Sequence, residues 1–156
     1  MFTDSDYAGD TEKACSTSGY VSFIGSSCVN WSSQHQDVVA ESTTEAELIA
    51  VNAGASDGPW MLHLLEELGY PQRLPLPLLM DNQSTIKVTK NPEHHRKMKH
   101  LEMKYYWIRD QVDMGKLEIK WVASSEKCTD IFTKGLSKDL HDHQCSLLGL
   151  RRQELD

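Results

Sequence analysis

The chain changes its hydrophobic period along its length, and this change constrains the fold more than any other feature of the sequence. The first 33 residues contain three short strand-like segments, and a Gly-Ser-Ser turn between the last two indicates a β-hairpin. From residue 46 to residue 68, apolar residues recur at helical spacing instead. Gly58 and Pro59 predict an interruption or a kink within this helix.

The second half of the chain alternates between strands and helices. Residues 78–80 and 117–122 are predicted strands, and residues 100–114 form a strong helical pattern that ends at a glycine. Further helices are predicted at residues 83–90, 126–134 and 140–147. Early strands followed by strand–helix alternation predict an α/β fold, with a mixed sheet and helices on its faces. The crossover connections imply that the later strands are parallel.

Length and charge limit the possible organisation and function. A chain of 156 residues predicts a single domain, residues 1–156, with residues 137–156 as a C-terminal helix and tail. The net charge of −7 argues against a protein that holds nucleic acid by bulk electrostatics, but metal-binding carboxylates would themselves add negative charge. No apolar run is long enough for a membrane span. Four widely spaced cysteines without a CxxC pair predict reduced thiols.

Four acidic residues lie where predicted strands end or helices begin. Asp4 ends the first strand and Asp81 follows the strand at residues 78–80, while Glu47 and Asp130 lie early in helices. Four carboxylates that meet at one edge of a sheet would repel one another unless cations neutralise them, and oxygen ligands favour Mg²⁺ or Mn²⁺. Each acid alone also has a structural explanation, such as helix capping by Asp81 or a favourable helix dipole at Asp130.

Two glutamates compete for the helical position in this site. Glu45 and Glu47 are two residues apart on a helix and point in nearly opposite directions, so only one can contribute. Residues 42–45 match a capping box, which would occupy Glu45 and leave Glu47 for the site. A rival box over residues 44–47 would reverse the roles, and the sequence favours Glu47.

Two further features border the predicted site. Asp6 is the alternative to Asp4, because residues two apart on a strand face the same way. Residues 94–100, with sequence HHRKMKH, form a basic cluster in an otherwise acidic chain. The cluster could bind phosphate or be a solvated loop, and the sequence alone does not separate these two interpretations.

Six short motifs occur in a fixed order along nearly the whole chain. They are TDSDYAGD at residues 3–10, STSGY at 16–20, STTEAE at 42–47, DNQS at 81–84, KHLE at 99–102 and TDIFTK at 129–134. The ordered set resembles the ribonuclease H domain at the end of the Pol polyprotein of copia-type (Pseudoviridae) LTR retrotransposons. The chain departs from the family in three places: the strand before TD is short, Ala14 and Cys15 replace basic residues, and Gly135 replaces a proline. Residues 122–129 contain no histidine, which resembles copia-type relatives and differs from many cellular ribonucleases H; Glu126 is a candidate substitute.

The resemblance implies the ribonuclease H fold, a five-stranded mixed sheet whose first three strands are antiparallel and which is flanked by helices. It also implies a four-acid site, in which Asp4 bridges two Mg²⁺ ions, Glu47 and Asp81 bind one ion, and Asp130 binds the other; Mn²⁺ can substitute. Gln83 falls where similar enzymes contact the RNA 2′-hydroxyl, and Thr43 falls near a phosphate contact. The predicted substrate-binding residues are Thr43, Asn82, Gln83, Arg96 and Lys99.

The implied function is endonucleolytic hydrolysis of the RNA strand of RNA–DNA hybrids during reverse transcription. The reverse transcriptase domain of the same polyprotein would be a partner, and the implied location is an intracellular, cytoplasmic virus-like particle. The alternative is a non-catalytic module of the same fold that binds hybrid or reverse transcriptase, which the net charge of −7 and the short first strand favour. Another nuclease of this fold is disfavoured by the motif set.

Overall fold

A five-stranded mixed sheet forms the centre of the molecule in the computed structural model, which describes residues 1–10, 14–90 and 102–151. The strands are β1 (Phe2–Asp6), β2 (Thr17–Ile24), β3 (Ser27–His35), β4 (Leu76–Met80) and β5 (Leu117–Trp121). Their order is β3-β2-β1-β4-β5, with β1, β2 and β3 antiparallel. Strand β4 is parallel to β1 and to β5. This topology confirms the predicted fold class.

In the described residues, four α-helices and two short 3₁₀ turns accompany the sheet. The helices are α1 (Thr43–Glu67), α2 (Gln83–Lys90), α3 (Glu102–Asp113) and α4 (Lys138–Leu147), and the 3₁₀ turns are Ser124–Glu126 and Asp130–Phe132. Within the described ranges, no helix is long and apolar enough to cross a membrane. All four cysteines are free thiols.

The helix predicted over residues 126–134 is wrong, because the structure has two 3₁₀ turns joined by an extended segment. Lys127, Cys128 and Thr129 are consecutive and all buried. A helix packed on one face cannot turn three consecutive side chains inward, so burial here overrides helical propensity. Asp130 therefore begins a single 3₁₀ turn and does not lie in a longer helix.

Of the interruption or kink predicted at Gly58 and Pro59, the interruption is wrong, because α1 continues through both residues to Glu67. A proline in a helix interior costs about 3 kcal/mol, since it lacks an N–H donor and crowds the preceding turn. Pro59 is exposed, whereas the neighbouring Ala55 and Gly58 are buried. Packing of that buried face against the rest of the fold holds the helix together across the proline.

The sheet separates two apolar clusters. The larger one joins α1 and α3 to the sheet, and its buried members are Met1, Leu48, Val51, Ala55, Leu78, Met80, Tyr105, Ile108, Leu117 and Ile119. The smaller one joins β2 to the C-terminal segment through Val21, Cys128 and Leu148. The C-terminal segment is therefore anchored to the sheet independently of α1.

Three of the four tryptophans are not in the core, although tryptophan is highly buried on average. Trp31, Trp60 and Trp121 are 61%, 63% and 55% exposed, whereas Trp107 packs against the larger cluster. Trp60 follows Pro59 on the solvent side of α1, and Trp121 is the last residue of an edge strand. Their positions at the surface of these elements explain the exposure.

Gly19 allows the C-terminal segment to approach the sheet beside Asp4. It pairs with Asp4 across β1 and β2. A Cβ atom on Gly19 would lie 2.7 Å from Thr133 Cγ2 and 2.9 Å from Phe132 Cβ. We expect Gly19→Ala to displace this segment and to lower the free energy of unfolding by about 1–3 kcal/mol, as overpacking does in other cores. Urea denaturation measures the change.

Gly135→Ala is the matched control for this prediction. Gly135 lies in the same segment, and a Cβ atom there would meet nothing within 4 Å. Its stability should equal that of the wild type or slightly exceed it, because alanine restricts the unfolded chain. Equal stability of the two variants would contradict the close approach at Gly19.

Candidate metal centre

Two of the predicted acids lie side by side towards the carboxyl ends of neighbouring parallel strands. Asp4 lies on β1, and Asp81 follows the last residue of β4. Because β1 and β4 are parallel and adjacent, their carboxyl ends lie at the same edge of the sheet. Asp4 is 2% exposed, and Asp81 is partly buried. The topology therefore places one buried and one accessible carboxylate side by side.

Helix α1 supplies the third acid through its cap. The Ser42 hydroxyl accepts a hydrogen bond from the Glu45 N–H at 3.2 Å, and Glu45 Oε2 accepts one from the Glu41 N–H at 2.8 Å. Ser42 is thus the N-cap, and Glu45 turns back to the start of the helix. Glu47 points the other way, and one oxygen each of Asp4, Glu47 and Asp81 lie within 4.8 Å of one another.

Asp130 joins these acids through Lys127 and not through direct proximity. The Lys127 ammonium nitrogen lies 2.5 Å from Asp4 Oδ1, 2.9 Å from Asp81 Oδ2 and 3.4 Å from Asp130 Oδ1. We call Asp4, Glu47, Asp81 and Asp130 the acidic cluster. The structure brings three of its members into one group of oxygens and links Asp130 to Asp4 and Asp81 through the shared ammonium group.

Polar side chains from residues 124–134 complete the surroundings of the acidic cluster. The Thr133 hydroxyl donates to Asp4 Oδ2 at 2.5 Å, and the Ser124 hydroxyl donates to Asp81 Oδ2 at 2.8 Å. The Lys134 ammonium nitrogen lies 3.1 Å from Asp130 Oδ1 and 3.9 Å from Asp4 Oδ2. Each of these side chains places a hydroxyl or ammonium group beside a carboxylate oxygen of the cluster.

Sequence reasoning missed Lys127, Thr133 and Lys134 as site residues. They lie three residues before, three after and four after Asp130, the spacings at which side chains on a helical turn meet. That spacing was the available signal. It could not indicate that the turn would be pressed against β1, because the contact depends on Gly19 and on the buried Lys127–Thr129 segment.

Burial and repulsion change the ionisation of the acidic cluster. Burial, followed by repulsion from Asp4 and Asp81, raises the pKa of Glu47 to about 8. Burial also raises the pKa of Asp4, although Lys127 and Thr133 oppose that rise. For Asp81, hydrogen bonding and attraction from Lys127 outweigh burial and lower the pKa. Glu47 is the acid that most lacks a compensating charge.

Asp6, the alternative to Asp4, is outside this group of oxygens in the described residues. Its carboxylate folds back over the turn after β1, where a Cβ atom on Gly9 would lie 2.0 Å from Asp6 Oδ2. The absence of a side chain at Gly9 makes room for this conformation. Asp6 therefore faces the turn at the end of β1.

The predicted substrate-binding residues lie partly at helix starts and partly outside the described residues. Asn82 Oδ1 accepts a hydrogen bond from the Thr85 N–H at 3.0 Å and so caps α2. Thr43 and Gln83 are exposed first residues of α1 and α2. Arg96 and Lys99, with the rest of the basic cluster at residues 94–100, lie outside the described residues.

The chemistry of the acidic cluster fits a hard divalent cation. Its side-chain donors are carboxylate oxygens, the ligands that Mg²⁺ and Mn²⁺ prefer. Glu47 Oε2 is buried and has no hydrogen-bond partner among the described residues. Buried polar atoms are nearly always paired, so an unpaired oxygen on an acid that lies beside Asp4 and Asp81 fits a site that binds a cation.

The chain is similar to segments of much longer proteins. Over 151 residues, 97% of its length, it is 35% identical to a retrovirus-related Pol polyprotein from transposon RE1 of Arabidopsis thaliana. Over 149 residues, 96% of its length, it is 34% identical to such a polyprotein from transposon TNT 1-94 of Nicotiana tabacum. The chain spans 10% and 11% of the length of these relatives. No protein family model matches it.

Solved structures share the fold at low sequence identity. An RNase H1 from the halophilic archaeon Halobacterium salinarum NRC-1 aligns with a TM-score of 0.54 and 15% identity, covering 85% of this chain and 91% of that one. LC11-RNase H1, isolated from compost by a metagenomic approach, aligns with a TM-score of 0.58 and 14% identity, covering 85% of this chain and 89% of that one. These similarities show the architecture of the sheet and its helices.

The raised pKa of Glu47 predicts a pH-dependent stability of the metal-free protein. The folded state keeps Glu47 protonated up to about pH 8, whereas the unfolded chain releases this proton near the ordinary value of 4.5. The contribution to stability is full below about pH 4.5 and is lost as the pH rises towards 8, at up to about 1.4 kcal/mol per pH unit. We expect Glu47→Gln to flatten this slope in urea denaturation with a chelator present.

Glu66→Gln is the control, because Glu66 is an exposed residue on the same helix. That variant should keep the slope of the wild type. If Glu47→Gln and the wild type lose stability equally between pH 5 and 8, the protonated Glu47 is not a feature of the folded protein.

Proposed function

We propose that this chain, which is homologous to one segment of copia-type retrotransposon Pol polyproteins and has the ribonuclease H fold, is a metal-dependent endonuclease that hydrolyses the RNA strand of RNA–DNA hybrids. The single observation that carries the proposal is the group of oxygens from Asp4, Glu47 and Asp81 at the carboxyl ends of β1 and β4. A buried group of carboxylates destabilises a fold, so its presence at one edge of the sheet favours a functional role.

Two Mg²⁺ ions, or Mn²⁺ in their place, would be held by the acidic cluster. Asp4, Glu47 and Asp81 would hold one ion, and Asp4 with Asp130 the other. When bound, such a pair of ions activates water and stabilises the leaving oxygen in phosphodiester hydrolysis. Thr133 and Ser124 orient the carboxylates of Asp4 and Asp81 by the hydrogen bonds described above.

The two helix starts beside the acids are suited to contact the hybrid. Thr43 begins α1 one turn before Glu47, and Gln83 begins α2 two residues after Asp81. Free N–H groups at helix starts favour phosphate oxygens. We assign Thr43 to a phosphate contact and Gln83, with Asn82 beside it, to the 2′-hydroxyl that distinguishes RNA from DNA.

The remaining proposed substrate contacts are made by positively charged side chains. Arg96 and Lys99 supply positive charge in an acidic chain and are proposed to bind the phosphates of the DNA strand. Lys134 is 39% exposed beside Asp130 and is placed to neutralise negative charge on a phosphate near the acidic cluster. Affinity beyond these contacts would come from a neighbouring domain.

The much longer relatives suggest which domain lies beside this chain. Because the chain corresponds to about a tenth of each Pol polyprotein, we propose that it acts beside the reverse transcriptase domain of such a polyprotein, inside virus-like particles. Cleavage of the RNA strand would then follow synthesis of the DNA strand on it. Residues 1–156 would form one ribonuclease H domain of that assembly.

A second candidate function is a non-catalytic module that binds hybrid or reverse transcriptase. The net charge of −7 favours it, because a free nuclease gains from positive charge around its substrate. A binding module, however, has no need of the buried acids. A nuclease requires the acidic cluster for cleavage. A binding module requires the cluster only as part of its folded structure.

Asp81→Asn separates the two functions. The substitution keeps the shape of the side chain and removes one charged ligand, so several kcal/mol of stabilisation of the developing charge are lost. We expect cleavage of the RNA strand of a labelled hybrid, in Mg²⁺ or Mn²⁺, to fall at least about a hundredfold. Binding of the hybrid, measured by a mobility shift, should be retained.

Asp110→Asn is the matched control, since Asp110 is an exposed acid on α3, and it should cut like the wild type. RNA and DNA duplexes serve as control substrates. Folded wild-type protein that binds hybrid and cuts nothing in either metal would support the binding module, and cleavage of the DNA duplex would indicate another nuclease of this fold.

A further inference from the structure

Lys127 occupies the middle of the acidic cluster, and the proposed reaction does not require it there. Its ammonium group contacts Asp4, Asp81 and Asp130, and its side chain is 3% exposed. Lysine is almost never fully buried unless it is paired. The fold therefore pairs a buried cation with the same acids that a divalent metal would need.

The backbone of Lys127 is fixed from two sides. Its carbonyl accepts a hydrogen bond from Gln144 Nε2 at 2.8 Å, and Gln144 on α4 is 1% exposed. Its N–H donates to the Ser124 carbonyl at 3.3 Å. The position of the chain is thus set by the C-terminal helix, while the four-carbon side chain remains the adjustable part.

The ammonium group is positively charged in this environment. Burial alone would lower the pKa of Lys127, but the adjacent Asp4 and Asp81 carboxylates raise it above its ordinary range. Lys127 and Lys134 are the two ammonium groups paired with the acidic cluster in the described part of the chain. Lys134 is partly exposed, so the buried positive charge comes from Lys127.

A divalent ion and Lys127 would compete for the same atoms. The Lys127 ammonium nitrogen contacts Asp4 Oδ1 and Asp81 Oδ2, and both of these carboxylates belong to the group of acids suited to a metal. Mg²⁺ binds oxygen at about 2.0–2.1 Å, and two cations beside one carboxylate repel each other strongly in a poorly hydrated site. The ion can bind fully only when the ammonium group moves away.

We infer that Lys127 is an internal counter-cation that holds the acidic cluster together without metal and must be displaced when a divalent ion binds. Lys127 thereby sets the threshold of metal concentration at which the site fills. The inference rests on the proposed metal-binding role of the cluster and adds a regulatory residue to it. It does not depend on whether the chain cuts hybrid.

The test compares Lys127→Met with Lys120→Met in metal binding and stability, without substrate. Lys120 is a partly exposed lysine on β5 that pairs with Glu118 at 2.8 Å, away from the cluster. For Lys127→Met we expect the affinity for Mn²⁺, measured by calorimetry, to rise about tenfold or more, the effect of one charge on another within 4–6 Å. Its urea midpoint without metal should fall and should recover with Mn²⁺. Lys120→Met should match the wild type in both.

Mn²⁺ affinity of Lys127→Met equal to or below that of the wild type would overturn the inference. If this variant does not fold without metal, nuclear magnetic resonance of the wild type with ¹³C-labelled lysine decides instead. The Lys127 ε-methylene signal should shift as Mg²⁺ is added, while that of Lys120 stays in place. An unchanged Lys127 signal at saturating Mg²⁺ would overturn the inference as well.

The failures of the two proposals are distinguishable. Tighter Mn²⁺ binding by Lys127→Met in a protein that never cuts hybrid supports the counter-cation and refutes the nuclease. A wild type that cuts hybrid, with Mn²⁺ binding unaffected by Lys127→Met, supports the nuclease and refutes the counter-cation. Absence of Mn²⁺ binding in wild type and variant alike refutes both.

Discussion

Repulsion among the carboxylates at the ends of β1 and β4 is the constraint on which the arrangement of the C-terminal segment depends. Two unit charges 4 Å apart interact with about 4 kcal/mol even at an effective dielectric constant of 20. Asp4 is nearly inaccessible to solvent, so water cannot relieve that repulsion, and the buried Glu47 avoids it by keeping its proton. The relief comes from residues 124–134, which bring two ammonium groups and two hydroxyl groups to the cluster.

Much of the fold can be predicted from the sequence because the spacing of apolar residues differs between its strands and its helices. The alternation in the first strands, the long helical pattern and the later strand–helix pairs predict the mixed sheet that the structure shows. Local chemistry also separates Glu45 from Glu47, since the cap at Ser42 occupies Glu45. These signals lie within a few residues of the positions they describe.

The features that sequence reasoning missed depend on contacts between distant segments. The extended path from Lys127 to Thr129 reflects burial against the sheet, which local propensity does not contain. Helix α1 continues through Pro59 because its opposite face is buried. Trp31 lies exposed on β3, and the sequence does not show which strand pairs with β3 or which face of it meets solvent. The pairing of Lys127 with Asp4 likewise depends on Gly19, which has no side chain and so leaves room for the C-terminal segment beside β1.

The hydrogen bonds that Asp4 receives join parts of the chain that are far apart in sequence. Lys127 and Thr133 lie 123 and 129 positions after it. Closing so long a loop is entropically costly and slow compared with forming a hairpin or a helix. The first strands and α1 can therefore associate well before the acidic cluster receives its counter-charges. A nascent or partly folded chain carries Asp4, Glu47 and Asp81 without Asp130 and Lys127, so the complete cluster with its counter-cation arises late in folding and reports that the C-terminal segment has docked.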